Sequence, residues 1–164
     1  MGAATDVVRK AYECFGRQDV PGLLELIAEP VDWEFVGPKG LAYTGRRRNR
    51  AEVGKFFADI PKADDIHAFE PREFIEAGDH VTVLGWEKST AIDTGRKFES
   101  EWVHVFTVKD GKVTRWRGFF DTAARYALAP ARAKPKAASK AKARPRPKAK
   151  SKAKAKAKRK AARR

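Results

Sequence analysis

All 17 aromatic residues of this 164-residue chain lie at or before Tyr126, and residues 131–164 contain none. That last segment holds 17 Lys/Arg, 12 Ala, three Pro and two Ser, and no acidic residue. A segment without large apolar side chains cannot bury enough surface to offset the entropy of ordering it. The chain is therefore expected to divide into a domain over 1–130 and a disordered Lys/Ala/Pro-rich basic tail over 131–164. The formal charge of +15 divides with it: residues 1–130 carry 19 basic and 21 acidic groups, a net of −2. A uniformly basic fold is excluded, and any nucleic-acid interaction is assigned to the tail.

About 130 residues suit one domain with one hydrophobic core. No stretch approaches the roughly 20 apolar residues of a membrane helix. Met1 to Lys10 contains no apolar run of the kind a secretory signal needs, so a cytoplasmic location is expected. Cys14 is the only cysteine. It rules out an intrachain disulfide and a metal site built on several thiolates.

Apolar spacing and capping signals give the elements. Asp6 is read as the cap of a first helix, with Val7, Val8, Ala11, Tyr12 and Phe15 as its apolar stripe and Gly16 as its end. Asp19 caps a second helix with Pro21 in its first turn, and Pro30 stops it. Val31–Val36 alternates as a strand, with Trp33 and Phe35 on one face and Asp32 and Glu34 on the other. Asn49 caps a third helix containing Val53, Phe56, Phe57 and Ile60, closed by Pro61. Four strand-like segments follow, about 67–76, 80–88, 97–108 and 112–121. Short Asp/Gly turns join three of these junctions, as expected of an antiparallel meander. Thr122–Leu128 is read as a last helical turn. This order predicts an α+β fold: three N-terminal helices on a strongly curved, mainly antiparallel sheet.

The tail alternates Lys and Ala strictly over 151–158. On a helix that pattern spreads charge around the axis, so no amphipathic membrane helix forms. Lys140, Lys142, Lys148, Lys150, Lys152, Lys154, Lys156, Lys158, Arg159 and Lys160 are assigned to non-specific binding of nucleic acid or another polyanion. They can neutralise phosphates, and nothing beside them reads bases. In composition the tail resembles those of linker histones and histone-like bacterial proteins.

Tyr12, Asp19, the Val31–Phe35 strand, the Tyr43-Thr44-Gly45-Arg46 turn, residues 105–113 and the Trp116–Asp121 segment together resemble the SnoaL-like branch of the NTF2-like superfamily. The resemblance covers about residues 5–128. It implies the ketosteroid isomerase-like cone, a curved sheet wrapped around helices with an internal apolar pocket. It also implies a homodimer. Members include isomerases, polyketide cyclases, epoxide hydrolases and binding proteins, so the fold alone gives no activity.

The isomerase base position falls on Phe35, which cannot take a proton, so steroid isomerisation is not expected. The second isomerase carboxyl falls on His104, and Tyr12 lies within a residue of the helix tyrosine. The Tyr and Asn that hold water in epoxide hydrolases fall on Trp33 and Phe35, and only their last Asp matches, at Asp121. His104 and Asp121, with Tyr12, are therefore the candidate acid/base residues. Trp33, Phe35, Trp102, Phe106, Trp116 and Phe120 are the candidate pocket lining. Arg46, Arg47, Arg48 and Arg50 are read as a solvated loop or a second anion patch, and Asp64-Asp65 as a solvated loop. No metal-ligand spacing or phosphate-cradling loop is present, so no metal or cofactor is expected.

Three functions follow. The first is an apolar-ligand module tethered to a polyanion by its tail. The second is a cofactor-free cyclase, isomerase or epoxide hydrolase using His104 and Asp121. The third is a nucleoid-associated dimer acting through its tails.

Overall fold

The computed structural model describes residues 2–126. The tail assignments, from its expected disorder to the ten named basic residues, lie outside the described residues.

Helix α1 (Ala3–Gly16) starts three residues before the expected cap at Asp6. Its N-cap, Gly2, has no capping side chain. The cap comes from far along the chain: the Glu76 carboxylate accepts from the Thr5 backbone N–H at 2.9 Å and from the Thr5 hydroxyl. These bonds hold the Glu76 carboxyl below its ordinary value. Asp6 sits in the first turn, where the helix dipole favours an acid. Helix α2 (Val20–Glu25) is capped by Asp19, whose side chain accepts from the Gly22 N–H. It ends at Glu25, not at Pro30. Ile27 is already in β1 (Ile27–Phe35), paired with Val113. Pro30 lies where the register of that pairing shifts, a place that tolerates a missing N–H.

Gly45–Arg47 forms β2, a short edge strand antiparallel to β1 where a turn and loop were expected. Helix α3 (Arg50–Ala63) is capped by Asn49 onto the Glu52 N–H and runs two residues past Pro61. A proline in the last turn removes few helical bonds. Then come β3 (Asp64–Ala77), β4 (His80–Ala91), β5 (Arg96–Lys109) and β6 (Lys112–Phe120), followed by the short α4 (Thr122–Tyr126).

The sheet order is β2-β1-β6-β5-β4-β3. The last four strands form the expected antiparallel meander. β1 joins it parallel to β6, Trp33 opposite Trp116 and Phe35 opposite Gly118. The result is a mainly antiparallel α+β fold, with α1 against β3, β4 and β5, and α3 against β1 and β3. Among the described residues no helix is long and apolar enough to cross a membrane.

Alternation decides what lies beneath the helices. Trp33, Phe35, Val81, Val83, Trp102, His104, Phe106 and Trp116 are all buried on the inner face. The outer face of β1 and β6 carries ions instead. Asp32 accepts from Arg117 at 2.6 Å and also faces Arg46 and Arg115, which hold its carboxyl below the ordinary range. Arg46 also bonds Glu34 at 3.1 Å, and the Arg50 side chain donates to the Ile27 carbonyl. Arg47 donates to the Thr44 carbonyl at 2.8 Å, so three of the four arginines read as an anion patch are engaged within the fold.

Candidate functional site: an aromatic cavity with two polar corners

The inner face of the sheet, α1 and α3 enclose a cavity of about 90 Å³. Tyr12, Trp33, Phe35, Trp102, His104, Phe106, Trp116 and Phe120 all line it. Two glycines let the large rings lie flat on the sheet. A Cβ at Gly85 would sit 2.1 Å from the Trp102 ring, and one at Gly118 would sit 2.3 Å from Trp116. Trp33 stacks on Trp116 at 4.3 Å, and Trp102 lies between Phe69 at 4.6 Å and His104 at 4.3 Å. Phe15, Phe57, Ile60, Ile66 and Phe69 also border an open groove outside, so these side chains form the mouth.

The first polar corner is Tyr12 with His104, whose hydroxyl and Nδ1 are 2.8 Å apart. His104 sits between aromatic rings, and burial pushes its imidazole down to about 3. Burial likewise raises the Tyr12 phenol. Both groups are therefore neutral across the physiological range. His104 acts as a hydrogen-bond partner and does not titrate near neutral pH, as the acid/base reading required.

Asp121 does not join them. It is exposed, and its carboxylate accepts from the Ala123 and Ala124 N–H groups, capping α4. The strand ends at Phe120, and parity turns the next side chain away from the cavity. The proposed His104–Asp121 acid/base pair is not assembled.

The second polar corner escaped the reading of the sequence. Asp64, expected in a solvated loop, is 4% exposed. It accepts from Tyr43 at 2.5 Å and from Arg125 at 2.8 Å, and Arg125 is itself buried. Burial and the adjacent Asp64 carboxylate raise the Tyr43 phenol. Glu87 also lines the cavity. Burial first, then the Asp64 charge, push its carboxyl up to about 7, against the opposing pull of Arg125. The signal was in the alternation of β4: Val81, Val83, Gly85, Glu87 and Ser89 share one parity, and Val81, Val83, Gly85 and Ser89 are buried.

Among the described residues, five buried side-chain polar atoms have no partner: Arg9 Nε, Arg96 Nε, the Ser89 Oγ and the indole Nε1 atoms of Trp33 and Trp102, the last two on residues that line the cavity. A buried donor left unpaired costs about 1–3 kcal/mol. No cluster of three or more His, Cys, Asp or Glu side chains able to hold a metal occurs among the described residues.

No curated protein matches the sequence. Solved structures do. An NTF2-like protein of unknown function from Burkholderia pseudomallei K96243 is 33% identical, with a TM-score of 0.68 over 80% of this chain and 100% of that one. An NTF2-like protein from Burkholderia xenovorans LB400 is 31% identical, with a TM-score of 0.67 over 74% of this chain and 92% of that one. TerC, co-crystallized with polyporic acid, is 30% identical, with a TM-score of 0.66 over 77% of this chain and 98% of that one. The family model for the SnoaL-like domain matches residues 8–116, a span that holds the cavity walls from Tyr12 through Trp116. With that span and these relatives, the chain belongs to the SnoaL-like family of NTF2-like domains.

Proposed function

We propose that the domain binds an apolar, ring-bearing small molecule with hydrogen-bond-accepting oxygens, and that the tail carries the domain to nucleic acid or another polyanion. The observation that carries the first half is the pair of unpartnered indole N–H groups, Trp33 and Trp102, in the wall of an aromatic cavity. A ligand oxygen satisfies such a donor, whereas a purely hydrocarbon ligand leaves it orphaned. The co-crystallization of TerC with polyporic acid supports a small organic ligand here as well. At about 90 Å³ the cavity is smaller than the ~150 Å³ that admits benzene, so entry requires the mouth side chains Phe57, Ile60 and Phe69 to turn aside.

Saturation-transfer NMR on the full chain with 2-tetralone, an apolar bicyclic ketone, tests this. Saturable binding is expected, weakened about tenfold by Trp102→Phe through one lost hydrogen bond. An absence of saturable binding in the wild type overturns the ligand reading.

The tail reading rests on 17 basic residues without an acidic one in 34 positions. Deleting 131–164 is expected to abolish retention of duplex DNA in a gel-shift assay. Binding by the full chain should fall by orders of magnitude between 50 and 200 mM salt and show little sequence preference. Retention by the truncated protein would transfer the role to the folded domain. A homodimer would present two tails to one polyanion and raise avidity, which sedimentation of the full chain measures.

A further inference from the structure

We infer that the ligand of the cavity carries a basic amine, held by the Glu87 carboxylate, together with the oxygen that meets an indole N–H. This deepens the binding reading above and rests on it.

Among the described residues, the wall of the cavity is left with three unsatisfied groups. Two are donors, the indole N–H groups of Trp33 and Trp102. The third is the Glu87 carboxyl, which lines the cavity without a hydrogen-bond or ion-pair partner. The other polar side chains of the wall are engaged: Tyr12 with His104, and Tyr43 with Asp64.

Glu87 has no cation of its own because the neighbouring guanidinium is taken. Arg125 donates to Asp64 at 2.8 Å and to the Ala63 carbonyl at 3.2 Å, and it faces Asp93 at 3.5 Å. In the sheet Glu87 is paired with Phe69 on β3 and Ser100 on β5, neither of which carries a charge. The ionisable groups around it are Asp64 from β3, Arg125 from α4, Asp93 from the β4–β5 turn and Tyr43 from the segment between β1 and β2. Across the cavity stand Tyr12 from α1 and His104 from β5. Arg125 is the one cation in this set, with Asp64, Asp93 and Glu87 about it.

Both forms of Glu87 lack a partner. Protonated, it is a donor without an acceptor; ionised, it is an anion without a donor. Burial pushes the carboxyl up to about 7, so the ionised form is present from neutral pH upward. An ammonium group supplies what the wall lacks, and a charge-assisted N–H···O bond is roughly twice as strong as a neutral one. The carboxyl is already withdrawn from water before the ligand enters, so binding has only the amine to desolvate. Position fits the same ligand. The Trp102 ring lies across its register partner Gly85, and Glu87 is the next inward residue of β4, about 7 Å along the strand. An indole donor and a carboxyl thus stand side by side, and a ring compound with an oxygen and an amine a few bonds apart meets both.

Saturation-transfer NMR on the full chain tests this with 2-aminotetralin, with 2-tetralol, which has a neutral hydroxyl in place of the ammonium, and with 2-tetralone. At pH 8 the amine is expected to bind about tenfold or more tighter than the alcohol. An alkylamine stays protonated up to about pH 10, so the pH dependence of its binding belongs to Glu87. Its affinity should be about tenfold weaker at pH 6 than at pH 8, as the carboxyl passes from mostly protonated to mostly ionised. Glu87→Gln should bring the ratio of amine to alcohol affinity to about one and remove the pH dependence. An amine that binds no tighter than the alcohol, or a preference that survives Glu87→Gln, overturns the amine site. So does a wild-type amine affinity that is level between pH 6 and 8, a result that needs no variant to fold. Saturable binding of 2-tetralone beside any of these leaves the ring-compound reading standing. No saturable binding of the three compounds overturns both.

Discussion

Arg125→Met is expected to destabilise the domain by about 3–5 kcal/mol, a fall of roughly 10–20 °C in the unfolding midpoint. The reason is what the substitution leaves behind. Asp64 is 4% exposed and its Oδ1 accepts from the Arg125 Nε at 2.8 Å. Without the guanidinium a carboxylate stays buried with only the Tyr43 hydroxyl, and Glu87 close by adds a second acid. The Ala63 carbonyl, at the end of α3, loses a donor too. Removing both charges tells this apart from lost packing. Asp64→Asn with Arg125→Met should recover most of the loss, because two neutral groups leave no uncompensated charge. Thermal or urea unfolding measures both variants. A loss below 1 kcal/mol for Arg125→Met alone would mean that the pair is not holding the end of α3 to α4.

The second large effect is a loss of stability in acid, driven by His104. In the unfolded chain a histidine takes its proton near pH 6.5, whereas His104 in the fold stays neutral down to about 3. Between those values the unfolded state holds one more proton. Stability therefore falls with falling pH, by about 1.4 kcal/mol per pH unit and about 5 kcal/mol across the window. Glu87 opposes this over part of the range. Its folded carboxyl keeps a proton up to about 7 against an ordinary 4.5, so the folded state holds the extra proton and stability falls as pH rises. From about 6.5 to 4.5 the two contributions cancel, and below 4.5 histidine acts unopposed.

The expected wild-type profile from these two groups is flat between pH 6.5 and 4.5 and steep below. Glu87→Gln should start the decline at pH 6.5. Joint replacement of Tyr12 and His104 by Phe removes both hydrogen-bonding partners together, leaving no orphan, and should remove the histidine share of the acid decline, leaving the part that comes from Asp32 and Glu76, whose carboxyls the fold holds low. Unfolding midpoints at pH 7.5, 5.5 and 4 measure these profiles. An unchanged acid slope in the double variant would show that His104 is not the buried neutral group responsible.

The success and failure of the sequence reading follow from the range of the interactions. Asp19 and Asn49 were readable as caps because each bonds a backbone N–H three residues away. Trp33 and Phe35 were readable as wall because strand parity is local. The cap on α1 was not readable, since its acceptor, Glu76, is 71 positions from Thr5. Asp64 looked like a loop acid because its partner Arg125 is 61 positions away. Asp121 was a candidate because it matches the last Asp of the epoxide hydrolases, yet the strand stops one residue earlier and its carboxylate caps the helical turn that follows.

The sequence by itself determined that the aromatic residues and the excess positive charge lie in separate parts of the chain. A net −2 segment holding every aromatic residue and a +17 segment follow from composition, because a core needs large apolar side chains and the last 34 residues have none. It also determined the alternation that makes one face of the sheet aromatic. Only the tertiary structure decided the chemistry of that face. A carboxyl or imidazole takes its proton affinity from desolvation and from the charges beside it. Folding placed His104 among rings and against Tyr12, 92 positions away, and gave the one nearby guanidinium to Asp64 rather than to Glu87.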